Sequence, residues 1–159
     1  MSQPSLAPGV VEAALLLMQQ AANKALELDG FLAEGHAAMG FIYSRQYDWD
    51  NAQKSFRRAI ELDPSLTQTY TNFWATTLLP LERLDEAERL LEEAVRTDPL
   101  PSAVHDHLGF MKLAAGRFDE AIDHFTRAHA LDANLPFLDQ HLGRALTFAG
   151  RLSEALSFW

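Results

Sequence analysis

The chain contains no cysteine, so it has neither a disulfide frame nor a thiolate for nucleophilic or metal chemistry. That composition is compatible with a reducing compartment, and a cytoplasmic location is expected. A long hydrophobic run is missing too. The apolar stretch 10–18 is interrupted by Glu12, lacks a basic lead-in and is too short to span a bilayer. It reads as the start of an ordinary helix, and no membrane partner is expected. Basic residues are scarce: 13 Lys and Arg stand against 22 Asp and Glu, a net charge of −9. Nucleic-acid affinity rests on clustered cations, so no nucleic-acid partner is expected. Lys54, Arg57 and Arg58 form the densest basic group and read as one solvated helix face.

Signatures of chemistry are equally sparse. There is no HExxH, CxxC, acidic calcium loop, nucleophile elbow, glycine-rich phosphate loop or dinucleotide fingerprint. His105 and His107 are two residues apart and point to different sides of a helix, while His124 and His129 are five apart, a poor ligand spacing. The pairs Asp85-Glu86 and Asp119-Glu120 fall where helices open, and negative charge there complements the helix dipole. No metal, cofactor or enzymatic activity is expected. Alternating strand patterns are absent as well, which points to an all-α fold.

What is present is a ladder of small residues. Ala25, Ala59, Ala94 and Ala128 are separated by 34, 35 and 34 residues. Ala52, Ala87, Ala121 and Ala155 follow with 35, 34 and 34, and Gly40, Gly109 and Gly143 with 69 and 34. Such a period marks one supersecondary unit repeated along the chain, each copy burying its apolar face against the next. Small residues at Gly40 and Ala52, or Gly109 and Ala121, let two helices approach closely, and Phe56 and Phe125 fill the gap to the neighbouring unit. Asp63-Pro64 and Asp98-Pro99 end one helix and turn the chain toward the next. Gly116 and Gly150 suit a tight turn at positive φ, and Asp48 is a candidate N-cap.

The segments NAQKSFRRAIELDPSL (51–66), EAERLLEEAVRTDPLP (86–101) and DEAIDHFTRAHALDANL (119–135) are successive copies, with KALELDG (24–30) and SEALSFW (153–159) at the two ends. This pattern resembles the tetratricopeptide repeat family. The first full copy matches through Met39, Gly40, Tyr43, Ala52, Phe56, Ala59 and Pro64, and the third through Leu108, Gly109, Ala121, Phe125 and Ala128. The resemblance covers the chain from about Ala21 to Trp159 and implies a right-handed superhelical solenoid of antiparallel helix hairpins, about eight helices in all. The implied organisation is a disordered lead (1–8), an N-terminal helix forming a partial repeat (9–32), and repeats over 33–66, 67–101 (35 residues) and 102–135. A fourth repeat, 136–159, is truncated in its second helix. His36 and His105 take the column where the family prefers Trp, which implies packing between helices.

Two departures stand out. The middle repeat is one residue longer, carries Trp74 in the glycine column, and places Leu79-Pro80 near the expected turn glycine. Trp74 forms either a functional notch or a packing compensation absorbed by the extra residue. At the other departure, Trp159 falls in mid-helix with no polar cap after it. Either the chain is a piece of a longer array, or another copy covers this edge, which makes Trp159 a candidate self-association residue.

Carried over residue by residue, the family's concave groove maps to Glu34, Ala37, Phe41 and Ser44, then to Gln68, Thr71, Ala75 and Leu78. It continues through Ala103, Asp106, Phe110 and Leu113 to Phe137, Gln140, Arg144 and Thr147. The resemblance implies a protein or peptide partner in that groove. Family members that clamp a C-terminal carboxylate need Lys and Asn at particular positions. Here those positions hold Ala37, Phe41, Asn72, Ala103 and His107, of which Asn72 alone agrees. Phe41, Phe110 and Phe137 instead suit a peptide with apolar anchors, or pack on neighbouring helices. Two other readings stay open: self-association through the ends, as a homo-oligomer, or the sensory segment of a larger regulator. The latter follows Tyr47-Asp48-Trp49-Asp50 and Asp98-Pro99-Leu100, which resemble repeats appended to bacterial winged-helix activators, receptor-type Ser/Thr kinases and adenylate cyclases.

Overall fold

A computed structural model describes residues 8–158. Residues 1–7 of the expected lead and the expected edge residue Trp159 lie outside the described residues. Nine α-helical segments occur among the described residues, the last a single turn, and no strand is among them. They are α1 (Pro8–Leu28), α2 (Ala33–Arg45), α3 (Trp49–Leu62), α4 (Thr67–Phe73) and α5 (Leu84–Thr97). The series continues with α6 (Ser102–Ala114), α7 (Phe118–Leu131), α8 (Leu138–Phe148) and α9 (Leu152–Ala155), the last running on as a 3₁₀ turn over Leu156–Phe158. The chain divides into two compact units, Met1–Thr77 and Leu78–Trp159.

The C-terminal ends of the helices have local causes that repeat with the period, and one start, that of α3, has a side-chain cap. Asp48 accepts a hydrogen bond from the Asn51 N–H at 3.3 Å and caps α3. At the far ends, Asp63, Asp98 and Asp132 leave the helix in extended conformation. Their Oδ1 atoms accept from the backbone N–H groups of Ser65, Leu100 and Asn134 at 2.9, 3.0 and 2.9 Å. Asp29 does the same for Phe31 at 2.9 Å. The aspartates thus close each repeat through their own side chains, an Asx turn that stops the helix with or without a following proline.

The turns inside the hairpins also share one design. Tyr47, Glu82, Gly116 and Gly150 all have positive φ, at 61, 55, 74 and 76°. The next residue's N–H bonds back five residues, Asp48 to Tyr43, Arg83 to Leu78, Arg117 to Lys112 and Arg151 to Leu146. This is the six-to-one closure of a Schellman motif, which satisfies a helix-end carbonyl. The middle repeat's turn residue is therefore Glu82, not the expected Leu79-Pro80. Its one extra residue enters upstream, where Trp74–Leu78 wind as a π-helical turn. A π turn takes up an extra residue without breaking the helix.

In the first unit, α1 packs its second half on α2 through Ala22, Leu26, Met39 and Ile42. Gly40 lies under the ring of Phe56, which in turn stacks on Phe73 with centroids 5.2 Å apart. In the second unit, Gly109 lies under Phe125, and Phe125 joins Ile122, Leu138, Leu142 and Leu146 in a fully apolar core. The glycine column is thus a column of ring contacts.

Candidate functional site

In the first unit, α2, α4 and the π-helical turn after it present Glu34, Gln68 and Ala75 as exposed residues and Ala37, Phe41 and Asn72 as half-buried ones. Gln68 Nε2 donates to Asn72 Oδ1 and to Thr71 Oγ1, both at 3.0 Å, fixing the polar edge of α4. Thr71 itself is buried, and its hydroxyl donates to the Gln68 carbonyl at 3.0 Å. Ser44 lies below the surface. Its hydroxyl donates to the Gly40 carbonyl at 2.9 Å and meets Thr77 Oγ1 at 2.7 Å. Leu78 is likewise fully buried. Both sit at the last groove position of a first helix, where the chain is already turning into the hairpin.

The second unit carries the more developed face. Asp106, on α6, is buried apart from one edge, and its Oδ1 accepts from His141 Nδ1 of α8 at 2.7 Å. The imidazole lies between two rings, with centroids 5.5 Å from Phe125 below and 6.2 Å from Phe110 beside it. Because the carboxylate only accepts, the Nδ1 hydrogen is fixed and so is the ring's orientation. Phe110 is more than a third exposed, Leu113 and Ala103 are half-buried, and Phe137, Gln140, Arg144 and Thr147 are exposed. His141 and Arg144, three apart, and Gln140 and Arg144, four apart, share one side of α8, and Phe137 precedes the helix at a positive φ of 66°. The resulting surface joins aromatic area to an oriented imidazole and a guanidinium. His141 went unnoticed in the sequence, although its spacing of three from Arg144 carried that signal. His107 is largely buried beside it, and burial holds its imidazole below the ordinary histidine range, more than Asp106 raises it.

Two further clusters brace the same unit. Lys112 of α6 is 6% exposed and bonds three carboxylates, Glu88 at 2.5 Å, Glu120 at 3.2 Å and Glu92 at 3.3 Å. Arg117 also pairs with Glu88. Burial pulls the Lys112 ammonium down, but hydrogen bonds to the glutamates outweigh it and leave it above the ordinary lysine range. The Arg117 bond holds Glu88 below the ordinary carboxylate range. In the other cluster, His105 Nε2 contacts the Pro99 carbonyl at 3.1 Å and His105 Nδ1 lies 3.3 Å from His124 Nδ1. His36, 69 residues earlier, makes the same reach to the Gly30 carbonyl at 3.0 Å. The histidines of that column serve as hydrogen-bonded packing groups between repeats. No group of three or more potential metal ligands lies together among the described residues. No described helix is long and apolar enough to cross a membrane.

Small residues under large rings, capped hairpins and a period of 34 or 35 define an all-α repeat protein built from paired helices. Residues 33–66 match the family model of the tetratricopeptide repeat, and the chain is a tetratricopeptide-repeat protein. The type IV pilus assembly protein PilF of Pseudomonas aeruginosa is 30% identical over 116 residues, 72% of this chain and 46% of that protein. Anaphase-promoting complex subunit 3 of Schizosaccharomyces pombe is 26% identical over 138 residues, 87% of this chain and 21% of that one. The chain therefore spans less than half the length of these two relatives. Among solved structures, that of Pseudomonas aeruginosa PilF superposes with a TM-score of 0.81 at 22% identity, covering 94% of this chain and 68% of that one. YrrB, described as a tetratricopeptide-repeat protein with an unusual peptide-binding site, gives 0.68 at 20% identity, covering 94% and 76%. These structural likenesses carry the fold.

Proposed function

We propose that the protein is a non-catalytic interaction module that binds a peptide or a partner helix on the first-helix faces of its repeats. One observation carries this reading. On α6 and α8, the partly exposed Phe110 stands beside a His141 that Asp106 locks in place, with Arg144 exposed three residues further along α8 and Phe137 exposed at its N-terminal end. An exposed aromatic anchor next to pre-oriented polar groups is how a peptide groove gains affinity and register together. Relatives named for assembly and import, PilF among them, support a protein partner. YrrB supports a peptide one.

The test is selection of peptides from a random displayed library on the intact protein, followed by binding and chemical-shift mapping with the selected peptide. Shifts should cluster on α6 and α8, and Phe110→Asp should weaken binding by at least roughly tenfold, the loss of one buried aromatic anchor. Phe110 is already partly in water, so that substitution leaves the fold in place. Shifts confined to other surfaces, or unchanged binding by the variant, reject the reading.

A second reading, self-association, is favoured by α1. The core contacts of α1 with α2 run through Ala22 and Leu26, and earlier along the same helix Val10, Leu16, Leu17 and Met18 are exposed. A helix apolar on every side ordinarily has a cover. Sedimentation across a range of concentrations decides it: Leu17→Asp shifts the protein toward monomer if copies supply that cover.

A further inference from the structure

The two histidines that join α6 to α7 have a hydrogen-bond arrangement that constrains their protonation. The Pro99 carbonyl can only accept, so the hydrogen on that bond belongs to His105 Nε2. In a neutral imidazole the other nitrogen then carries a lone pair, which places an acceptor at His105 Nδ1. Across 3.3 Å stands His124 Nδ1, and a bond there requires the hydrogen to be on His124. The rings lie tilted at 34° with centroids 5.6 Å apart, so nothing else fits between them. His105 is buried and His124 half-buried.

We propose that His105 and His124 are a proton-sharing pair that makes the α6–α7 hairpin open on acidification. The pair can take one added proton, at His124 Nε2, and keep its bond. A second proton has to go to His105 Nδ1, and then two N–H groups and two positive charges face each other across the gap. The neighbours do not relieve this. From α7, Arg127 opposes charge on His105, while Asp123 and Glu120 favour charge on His124. From α6, Lys112 opposes it on His124. The α5–α6 loop offers the Pro99 carbonyl, which is already used, and the α5 carboxylates Glu88 and Glu92 are engaged by Lys112. Burial acts in the same direction and depresses both imidazoles below the ordinary histidine range. The first repeat supplies a natural contrast. His36 makes the same carbonyl contact, but the position equivalent to His124 is Ser55, so no second imidazole faces it. The proton pair is thus an addition to the repeat, not part of its packing rule.

The experiment is histidine nitrogen NMR combined with amide hydrogen exchange on the full chain, wild type against His124→Gln. Glutamine keeps the bond in either state, since its amide donates to a neutral His105 and its carbonyl accepts from a charged one. At neutral pH the expected spectra show hydrogen on His105 Nε2 and on His124 Nδ1. As pH falls from about 7 to about 5, exchange of α6 and α7 amides, corrected for its intrinsic rate, should accelerate in the wild type. The rise should approach roughly tenfold per pH unit where the second proton binds. The variant should lack that step. A His124 hydrogen found on Nε2 at neutral pH, or the same acid step in His124→Gln, overturns the proposal.

Discussion

A Cβ placed on Gly109 would stand 2.6 Å from the ring of Phe125, closer than any relaxed carbon contact. The same relation holds 69 residues earlier, where a Cβ on Gly40 would stand 2.7 Å from Phe56. Helix–helix approach in these hairpins is therefore set by a ring lying on bare backbone. The middle repeat departs from this pattern at both positions, with Trp74 in the glycine column and Leu91 in the phenylalanine column.

Gly109→Ala should accordingly destabilise the protein. Overpacking of a tight core costs about 1–3 kcal/mol, offset by roughly 1 kcal/mol of improved helix propensity. Phe125→Leu in the same chain should recover part of the loss, because it clears the space the new methyl needs. Urea unfolding of the two single variants and the double variant measures this. A neutral Gly109→Ala would mean that the ring moves aside freely.

Ser44 and Thr77 make a prediction with a direction built in. Ser44 donates its hydrogen to the Gly40 carbonyl, so Thr77 must be the donor in the 2.7 Å bond between the two hydroxyls. Thr77→Val removes a donor and leaves Ser44 with its other bond, a loss of about 1 kcal/mol. Ser44→Ala leaves a buried Thr77 hydroxyl without its acceptor and should cost more, about 2 kcal/mol. Equal effects, or the reverse order, would show that the hydroxyls are oriented the other way.

The contrast between what could be read from the residues and what could not follows the range of the interactions. The Asp48 cap and the Gly116 and Gly150 turns depend on neighbours within one or two helical turns, and the glycine and alanine columns recur with the period of the repeat, so each leaves a mark in the residues. Tyr47 and Glu82 take the same turn conformation without glycine, and nothing in a tyrosine or a glutamate announces positive φ. The burial of Ser44 and Leu78 depends on where a first helix ends in space. The Lys112 cluster joins residues up to 29 positions apart, and Asp106 meets His141 across 35. Their types are common surface residues, and only the packing of α5, α6, α7 and α8 brings them together.

Lys112→Met should be strongly destabilising even though methionine fits the space. It leaves Glu88, Glu92 and Glu120 gathered with Arg117 as the remaining cation. Removing one partner of a buried pair costs about 3–5 kcal/mol, and here the low end applies because Glu92 and Glu120 can turn to water. The deficit should shrink in acid as Glu88 takes up a proton. Denaturation of wild type and variant at neutral and acid pH checks both the size and the trend.

Glu82→Gly should stabilise the protein. A side chain in the left-handed region costs about 1–2 kcal/mol, and glycine returns part of that through its greater freedom when unfolded, leaving a gain of about 0.5–1 kcal/mol. Glu82 is exposed, so little packing is lost. Tyr47→Gly should gain less, because the Tyr47 ring packs edge-on against Trp49 at 5.6 Å. Thermal melts of the two variants measure the ranking.

Stability should also fall as the solution is acidified from neutral pH, before the carboxylates titrate. Burial holds His105, His107 and His124 below the ordinary imidazole value in the folded protein. In the unfolded chain each takes up a proton as pH falls through about 6.5, while the folded protein resists. The unfolded state then binds more protons, so acid favours it. The stability is fully present above that value and is lost as pH falls through the folded values. Each imidazole contributes a slope of up to about 1.4 kcal/mol per pH unit within that window. Asp63 and Glu88, whose carboxyls are lowered by hydrogen bonds from Ser65 and Arg117, act only at more acid pH, so the two windows separate. Urea unfolding at several pH values between about 7.5 and 5 gives the slope directly. His107→Gln should reduce it by one proton's worth, and a slope unchanged by that substitution would place the titrating groups elsewhere.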